Sequence, residues 1–359
     1  MRKKMKSAHE IHPKRDGGSN TNPSAISRRH FTWGLLAAGG MALTSRNLRA
    51  AEWKLRQFHN QPAVSPLHKR LEELWAAVKT ETGGRVDVQT FAENDHVVGG
   101  DPKAFQMLVS GELDFFTLNG GVIGSIVPAM NVQNVPFSFT RTAQVYNALD
   151  GDLGDYLRKE MSSKGIYGLR RGCFENGFHQ ITCATRPIRT AADLVGLKMR
   201  SPDAPIYVDS WKTLGTHVVV VNLDTLYKTM KSGAAEAQAD PYSLIELLKL
   251  YEVQKYLSVT NHTWSGFNLI TSLKSWQRFP AGVQEIIERN VAKYTKLQRA
   301  DNDKLNVEAS ERLRQHGMIF NTADTASFRV KLQPFYARWR KVIGPQCWSL
   351  LEGHVGKLV

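Results

Sequence analysis

Four polar side chains stand where short apolar runs end. Asn60 follows Trp53–His59, Asn119 follows Leu113–Leu118, Arg200 closes Leu197–Arg200, and Asp240 follows Glu236–Ala239. Arg200 carries the most specific chemistry. A guanidinium presents a planar fork of donors that matches a carboxylate with two parallel hydrogen bonds, and Ser201-Pro202 ends the run directly after it. Asp240 precedes Pro241 and has two readings that can coexist: the cap of a helix starting at Pro241, or an acceptor facing a ligand. Asn60 and Asn119 are turn residues or ligand contacts with equal weight. Phe174, Leu223, Trp264 and Phe267 are candidates for an apolar wall, set against the commoner role of such side chains as core.

Covalent chemistry finds little support. The chain contains no GxSxG, no HExxH, no P-loop, and no GxGxxG after a strand. The three cysteines, Cys173, Cys183 and Cys347, form no CxxC, and no His/Cys group has zinc spacing, so neither a zinc site nor a resident cofactor is expected. Cys173 and Cys183 either pair, if the chain is exported, or remain buried thiols; the second reading is slightly preferred.

The elements that must position these side chains follow from periodicity. Trp53–His59, Arg85–Phe91, Leu113–Leu118, Gly165–Arg171, Phe178–Ala184, His217–Val221 and Glu236–Ala239 read as strands. Helices are expected over Leu67–Glu81, from Asp101-Pro102 to Ser110, and over Ala143–Met161, Ala204–Leu214 and Leu223–Ser232. Strand–helix–strand units of this length imply mostly parallel sheets covered by helices. Ligands then bind beyond the carboxyl ends of the strands, where the four polar residues stand. Ala281–His316 is different. Val283, Ile286, Ile287, Val291, Tyr294 and Leu297 make one apolar stripe, and a helix of that length spans roughly 54 Å. It must brace two lobes or kink, with Asn302-Asp303 as the weak point.

The charge of +14 is misleading by itself. Residues 1–50 hold ten Lys or Arg and two Asp or Glu, so +8 lies there and +6 remains for the rest. No RNP, zinc-finger or helix-turn-helix signature accompanies it, so no nucleic-acid partner is expected. Ser27-Arg28-Arg29-His30-Phe31 precedes an apolar run from Trp33 to Leu43, the pattern of a twin-arginine export signal. That run is too short to span a membrane. Cleavage is expected near Ala50 or Ala51, where the small-residue rule fits poorly because Leu48 and Arg49 are large.

Several strings together resemble one family. They are Gly99-Gly100-Asp101 closed by Gly111-Glu112-Leu113-Asp114, Glu175-Asn176-Gly177-Phe178, and Arg186-Pro187-Ile188 leading to Asp193-Leu194-Val195-Gly196-Leu197-Lys198-Met199-Arg200-Ser201-Pro202. Ala237-Gln238-Ala239-Asp240-Pro241, Tyr251-Glu252-Val253-Gln254-Lys255-Tyr256-Leu257 and Thr260-Asn261-His262 follow in order. Over about 290 residues the chain resembles the solute-binding proteins of tripartite ATP-independent periplasmic (TRAP) transporters. The resemblance implies a two-lobed α/β fold of the periplasmic-binding-protein kind, with a hinge, crossing strands and a long C-terminal helix spanning both lobes. It implies a leader over residues 1–51, one lobe over 52–176, a second over 177–262, and residues 263–359 returning to the first lobe before packing on both. It implies a periplasmic receptor, not an enzyme, that clamps a small organic acid through Arg200 and hands it to a small and a large membrane permease subunit. The receptor would be a monomer or a homodimer.

Two positions depart from the family. His179 stands where many members carry a second arginine, so either a neutral imidazole replaces a fixed charge and a strongly anionic diacid is disfavoured, or the residue is a structural histidine satisfied within the protein. Asp240 stands where asparagine is common. A carboxylate only accepts, so it faces a ligand hydroxyl, an ammonium, or a metal that also touches the ligand; the hydroxyl is preferred. Asn60 and Asn119 occupy positions that touch family ligands, and Phe267 matches a lining position, which suggests an aromatic or branched monocarboxylate; with the hydroxyl reading of Asp240, the expected ligand is a hydroxy or aromatic monocarboxylate. The rival readings are a binding protein for an ABC importer or a sensor system, and an exported enzyme.

Overall fold

A computed structural model describes residues 51–358. The twin-arginine segment and the expected cleavage site lie outside the described residues, apart from Ala51.

Among the described residues eleven strands form two sheets. The first contains β1 (Trp53–His59), β2 (Val86–Phe91), β3 (Phe115–Asn119), β4 (Ile166–Phe178) and β10 (Trp264–Ser272) in the order β2-β1-β3-β10-β4. The second contains β5 (Gln180–Cys183), β6 (Lys198–Ser201), β7 (His217–Val220), β8 (Ala237–Asp240), β9 (Tyr256–Val259) and β11 (Ile319–Thr322) in the order β11-β9-β5-β8-β6-β7. β1 runs parallel to β2 and β3, and β6 runs parallel to β7 and β8. The strands entered by crossing, β5 and β10, run antiparallel to their neighbours. Each sheet anchors one lobe of a two-lobed α/β fold, and in each the parallel strands end at the cleft between the lobes.

The chain crosses early between the lobes with little slack. Only His179 separates β4 from β5, and only residues 260–263 separate β9 from β10. The two crossings are hydrogen-bonded to each other, His179 N donating to Thr263 O at 2.8 Å. The long helix, Ala281–Gln315, runs 35 residues without a break, roughly 52 Å at 1.5 Å per residue. It braces both lobes. Asn290 Nδ2 donates to Glu81 Oε1 at 3.0 Å on the first, and Arg312 Nη2 donates to Glu246 Oε2 at 2.8 Å on the second. Asn302 is not its weak point: the side chain is buried, and Nδ2 donates to the Asn176 carbonyl of β4 at 2.7 Å.

Two elements differ from the periodicity reading. The expected helix over Ala143–Met161 is two helices, Thr142–Leu149 and Asp152–Ser163, parted at Asp150-Gly151. Asp150 there receives both terminal nitrogens of Arg299 at 2.6 and 2.9 Å, a tertiary partner 149 residues away that local spacing does not reveal. The strand expected over Gly165–Arg171 continues to Phe178 in β4. Its register against β10 jumps between Gly168 and Cys173, and Arg171 takes a left-handed φ of 52° inside that bulge. All three cysteines are free and buried. Among the described residues no helix is long and apolar enough to cross a membrane.

Candidate functional site

The carboxyl ends of β1, β3, β6 and β8 converge on a cavity of about 710 Å³, open mouth included, between the lobes. A ligand cavity at this place is what a parallel sheet predicts. Asn60, Asn119, Arg200, Asp240, His179, Phe267 and Leu223 all line it. Phe174 does not. It lies opposite Phe267 in the β4–β10 register but is fully buried in the apolar cluster that includes Ile287 and Val291 of the long helix. Trp264 is also withdrawn into the core, where its indole N–H donates to Glu175 at 2.7 Å.

Arg200 is 4% exposed. Nε donates to the Val221 carbonyl at 2.9 Å, which fixes the plane of the guanidinium. Among the described residues neither terminal nitrogen makes a hydrogen bond. The nearest carboxylate oxygen is Asp240 Oδ2, 3.8 Å from Nη1, too long for a hydrogen bond. Burial lowers the guanidinium's pKa, while Asp240 and Asp101 hold the proton on.

Asp240 is buried and does not cap a helix. The following helix, Tyr242–Leu247, has Pro241 at its cap position and no side-chain capping bond. Asp240 Oδ2 has no hydrogen-bond partner among the described residues. Burial pushes the carboxyl up to about 7, opposed by the Arg200 charge. A buried fork with free donors thus faces a buried acceptor without a donor, and both requirements can be met by one molecule carrying a carboxylate and a hydroxyl.

His179 is satisfied within the protein. Its Nε2 lies 2.7 Å from Ser265 Oγ, and the same oxygen accepts Asn176 Nδ2 at 2.8 Å. The imidazole, the hydroxyl and the carboxamide thus form one chain of hydrogen bonds. Burial, with His262 and Arg200 nearby, drives its pKa well below the usual value, so the ring is neutral. It lies nearly parallel to Tyr207, ring centres 6.0 Å apart, and offers the cavity a face rather than a charge.

Asn119 caps the short helix Gly120–Ile123 by accepting Gly121 N at 2.8 Å. Asn60 donates to Asp101 Oδ2 at 2.7 Å. Asp101 lines the cavity too, as do Asn176, Tyr207, Trp211, Asn222 and Ser265. Asp101 and Asn176 lie within the family-like strings of the sequence, which by themselves mark neither as a ligand contact. Asp101 had a usable signal, a carboxylate before Pro102 at a helix start on the cleft side of its lobe. Tyr207 and Trp211 had none, because an aromatic residue on an amphipathic helix is ordinarily core. Tyr207 crosses the cleft, its hydroxyl accepting Asn134 Nδ2 at 2.8 Å. Among the described residues no three His, Cys, Asp or Glu side chains gather closely enough to hold a metal ion.

The family model for bacterial extracellular solute-binding proteins, family 7 (DctP), matches residues 58–342. A solute-binding protein of Chromohalobacter salexigens is 28% identical over 301 residues, covering 83% of this chain and 88% of its own. Among solved structures, a TRAP periplasmic solute-binding protein of the same organism, with bound D-glucuronate, superposes with a TM-score of 0.78 at 27% identity, covering 84% of this chain and 98% of that one. Another, from Polaromonas, is bound to D-erythronate and superposes with a TM-score of 0.78 at 27% identity, covering 83% and 98%. This chain belongs to family 7 of the bacterial extracellular solute-binding proteins, the receptors of TRAP transporters.

Proposed function

We propose that this receptor captures a hydroxylated monocarboxylate of the sugar-acid type in the interlobe cavity, with Arg200 gripping the carboxylate and Asp240 accepting a hydroxyl near it. The observation that carries the reading is the pairing of the free Arg200 terminal nitrogens with the orphaned Asp240 Oδ2, 3.8 Å apart in one buried wall. A plain aromatic acid would satisfy the guanidinium and leave Asp240 buried without a partner, which costs about 1–3 kcal/mol. A hydroxy acid satisfies both. Phe267 and Tyr207 then face the C–H surface of the carbon chain, while Asn60, Asn119 and Asn176 are placed for further hydroxyls. The glucuronate and erythronate held by the two superposed proteins have this chemistry.

On this reading the protein is exported through its twin-arginine leader and delivers the acid to the small and large permease subunits. The test is a thermal-shift panel of residues 52–359 with hydroxy, keto, amino, aromatic and sugar acids. A ligand at one hundred times its dissociation constant adds about 2.7 kcal/mol of stability. A shift confined to polyhydroxy acids is expected. Equal shifts with plain aromatic acids would overturn the hydroxyl role of Asp240, and no shift with any acid, in folded and ligand-free protein, would overturn the clamp.

A further inference from the structure

A second compartment of about 440 Å³, open mouth included, lies beside the ligand cavity and shares Asn60, Asp101, Asn222 and Leu223 with it. Its walls come from both lobes: the turn over residues 93–100 on one side, and residues 222–224 with Leu248 on the other. Asp101 stands at the boundary. One carboxylate oxygen accepts Asn60 Nδ2 and the other accepts Asn94 Nδ2, each at 2.7 Å.

Asn94 is the residue that packing does not account for. It is 4% exposed, its Nδ2 is engaged by Asp101, and its buried Oδ1 has no hydrogen-bond partner among the described residues. The backbone that presents it is strained. Glu93, Asn94, Asp95 and His96 hold φ between 51° and 55°, a left-handed turn built without glycine. A buried carbonyl held in place at this cost in backbone energy calls for a donor that the chain does not supply.

The lining says which donor. It contains carboxylates from Glu93, Asp101 and Asp224, carboxamides from Asn60, Asn94 and Asn222, and no lysine or arginine. Such walls repel a second carboxylate and accept hydrogen bonds from hydroxyls. We propose that this compartment is a second subsite, which takes the hydroxylated tail of an acid whose carboxylate is held at Arg200. The receptor then selects long polyhydroxylated monocarboxylates over short hydroxy acids and over diacids. This rests on the clamp reading of Arg200, and it adds Asn94 and Asp101 as residues that set ligand length.

Calorimetric titration with D-erythronate, D-gluconate, lactobionate, D-glucarate and 6-aminohexanoate tests it, on the native chain and on two variants. Asn94→Ala removes the orphaned carbonyl. Leu248→Phe fills the compartment from the opposite lobe and removes no hydrogen bond. The native chain is expected to bind gluconate or lactobionate at least tenfold more tightly than erythronate, and glucarate more weakly than gluconate. Both variants should erase that gain, and Leu248→Phe should leave erythronate affinity within twofold. Affinity that is flat with length, variants that weaken short and long acids alike, or 6-aminohexanoate binding more tightly than gluconate would each overturn the subsite. Erythronate binding with a flat series sinks the subsite alone, whereas failure of every acid to bind sinks the clamp as well. Thermal midpoints establish that the variants are folded, and if Asn94→Ala is not, Leu248→Phe decides.

Discussion

At the scale of single residues, the site is a buried cation beside a buried acid whose carboxyl is pushed up to about 7 by burial. Arg200→Ala should abolish binding of the best acid found, with the fold retained, because a charge-assisted hydrogen bond is worth about 1.5–3 kcal/mol and a bidentate pair exceeds one bond. Arg200→Lys should recover only part of the affinity, since an ammonium cannot make the planar two-bond contact; titration calorimetry measures both. Asp240 predicts a pH dependence. Its carboxyl is raised in the fold to about 7 by burial, while an unfolded aspartate titrates near about 3.9. Between those values the folded protein holds more protons than the unfolded chain, so stability without ligand should fall as pH rises from about 4 to about 7 and level off above. Glu175, also pushed up to about 7 by burial, contributes in the same direction. Asp240→Asn should therefore flatten the slope only in part, as pH-dependent thermal unfolding will show. An incoming ligand carboxylate favours the protonated form of Asp240, so binding should take up a proton near neutral pH. Calorimetry in buffers of different ionisation enthalpy would detect that uptake, and Asp240→Asn should remove it.

At the scale of elements, the long helix and the bent strand β4 act as one unit. Gln298 exchanges two hydrogen bonds with the Glu175 backbone, both at 2.8 Å, and Asn302 and Asn306 both donate to the Asn176 carbonyl. These side chains hold in place the segment from which Asn176 and His179 reach the cavity. Asn302→Ala should cost about 1–3 kcal/mol, since it empties a buried polar position, and lower the unfolding midpoint by several degrees in a calorimetric scan. The helix was legible in the sequence because its stripe of Val283, Ile287 and Val291 has the helical period and no glycine or proline occurs from Val283 to His316. Its length left two outcomes open, a brace across both lobes or a kink, and the unbroken helix decides for the brace. The polar rungs were not, because an asparagine inside a helix reads locally as a weak point. Only the facing carbonyl of a strand 126 residues away turns Asn302 into an anchor.

At the scale of the whole molecule, binding is expected to be coupled to lobe closure. The cavity and its neighbouring compartment are each walled by both lobes, so a ligand that fills them favours the closed arrangement by its contacts to each side. Tyr207 is the cleanest probe, a side chain of one lobe whose hydroxyl is held by Asn134 of the other. Tyr207→Phe removes one such bond, worth about 0.5–1.5 kcal/mol. It should weaken affinity about two- to tenfold and enlarge the ligand-free radius of gyration in small-angle scattering. The sequence by itself determined the α/β class, the strands whose ends face the cleft, the family, and Arg200, Asp240, Asn60 and Asn119 as cleft residues. It could do so because strand period, turn residues and motif order are local, and because parallel strands must end on one side. Only the tertiary structure decided that Asp240 caps no helix, that Phe174 is core while Phe267 is wall, that His179 is satisfied by Ser265, and that Tyr207 bridges the lobes. Those outcomes depend on which side chain from a distant segment fills the space opposite, and neither residue type nor spacing carries that information.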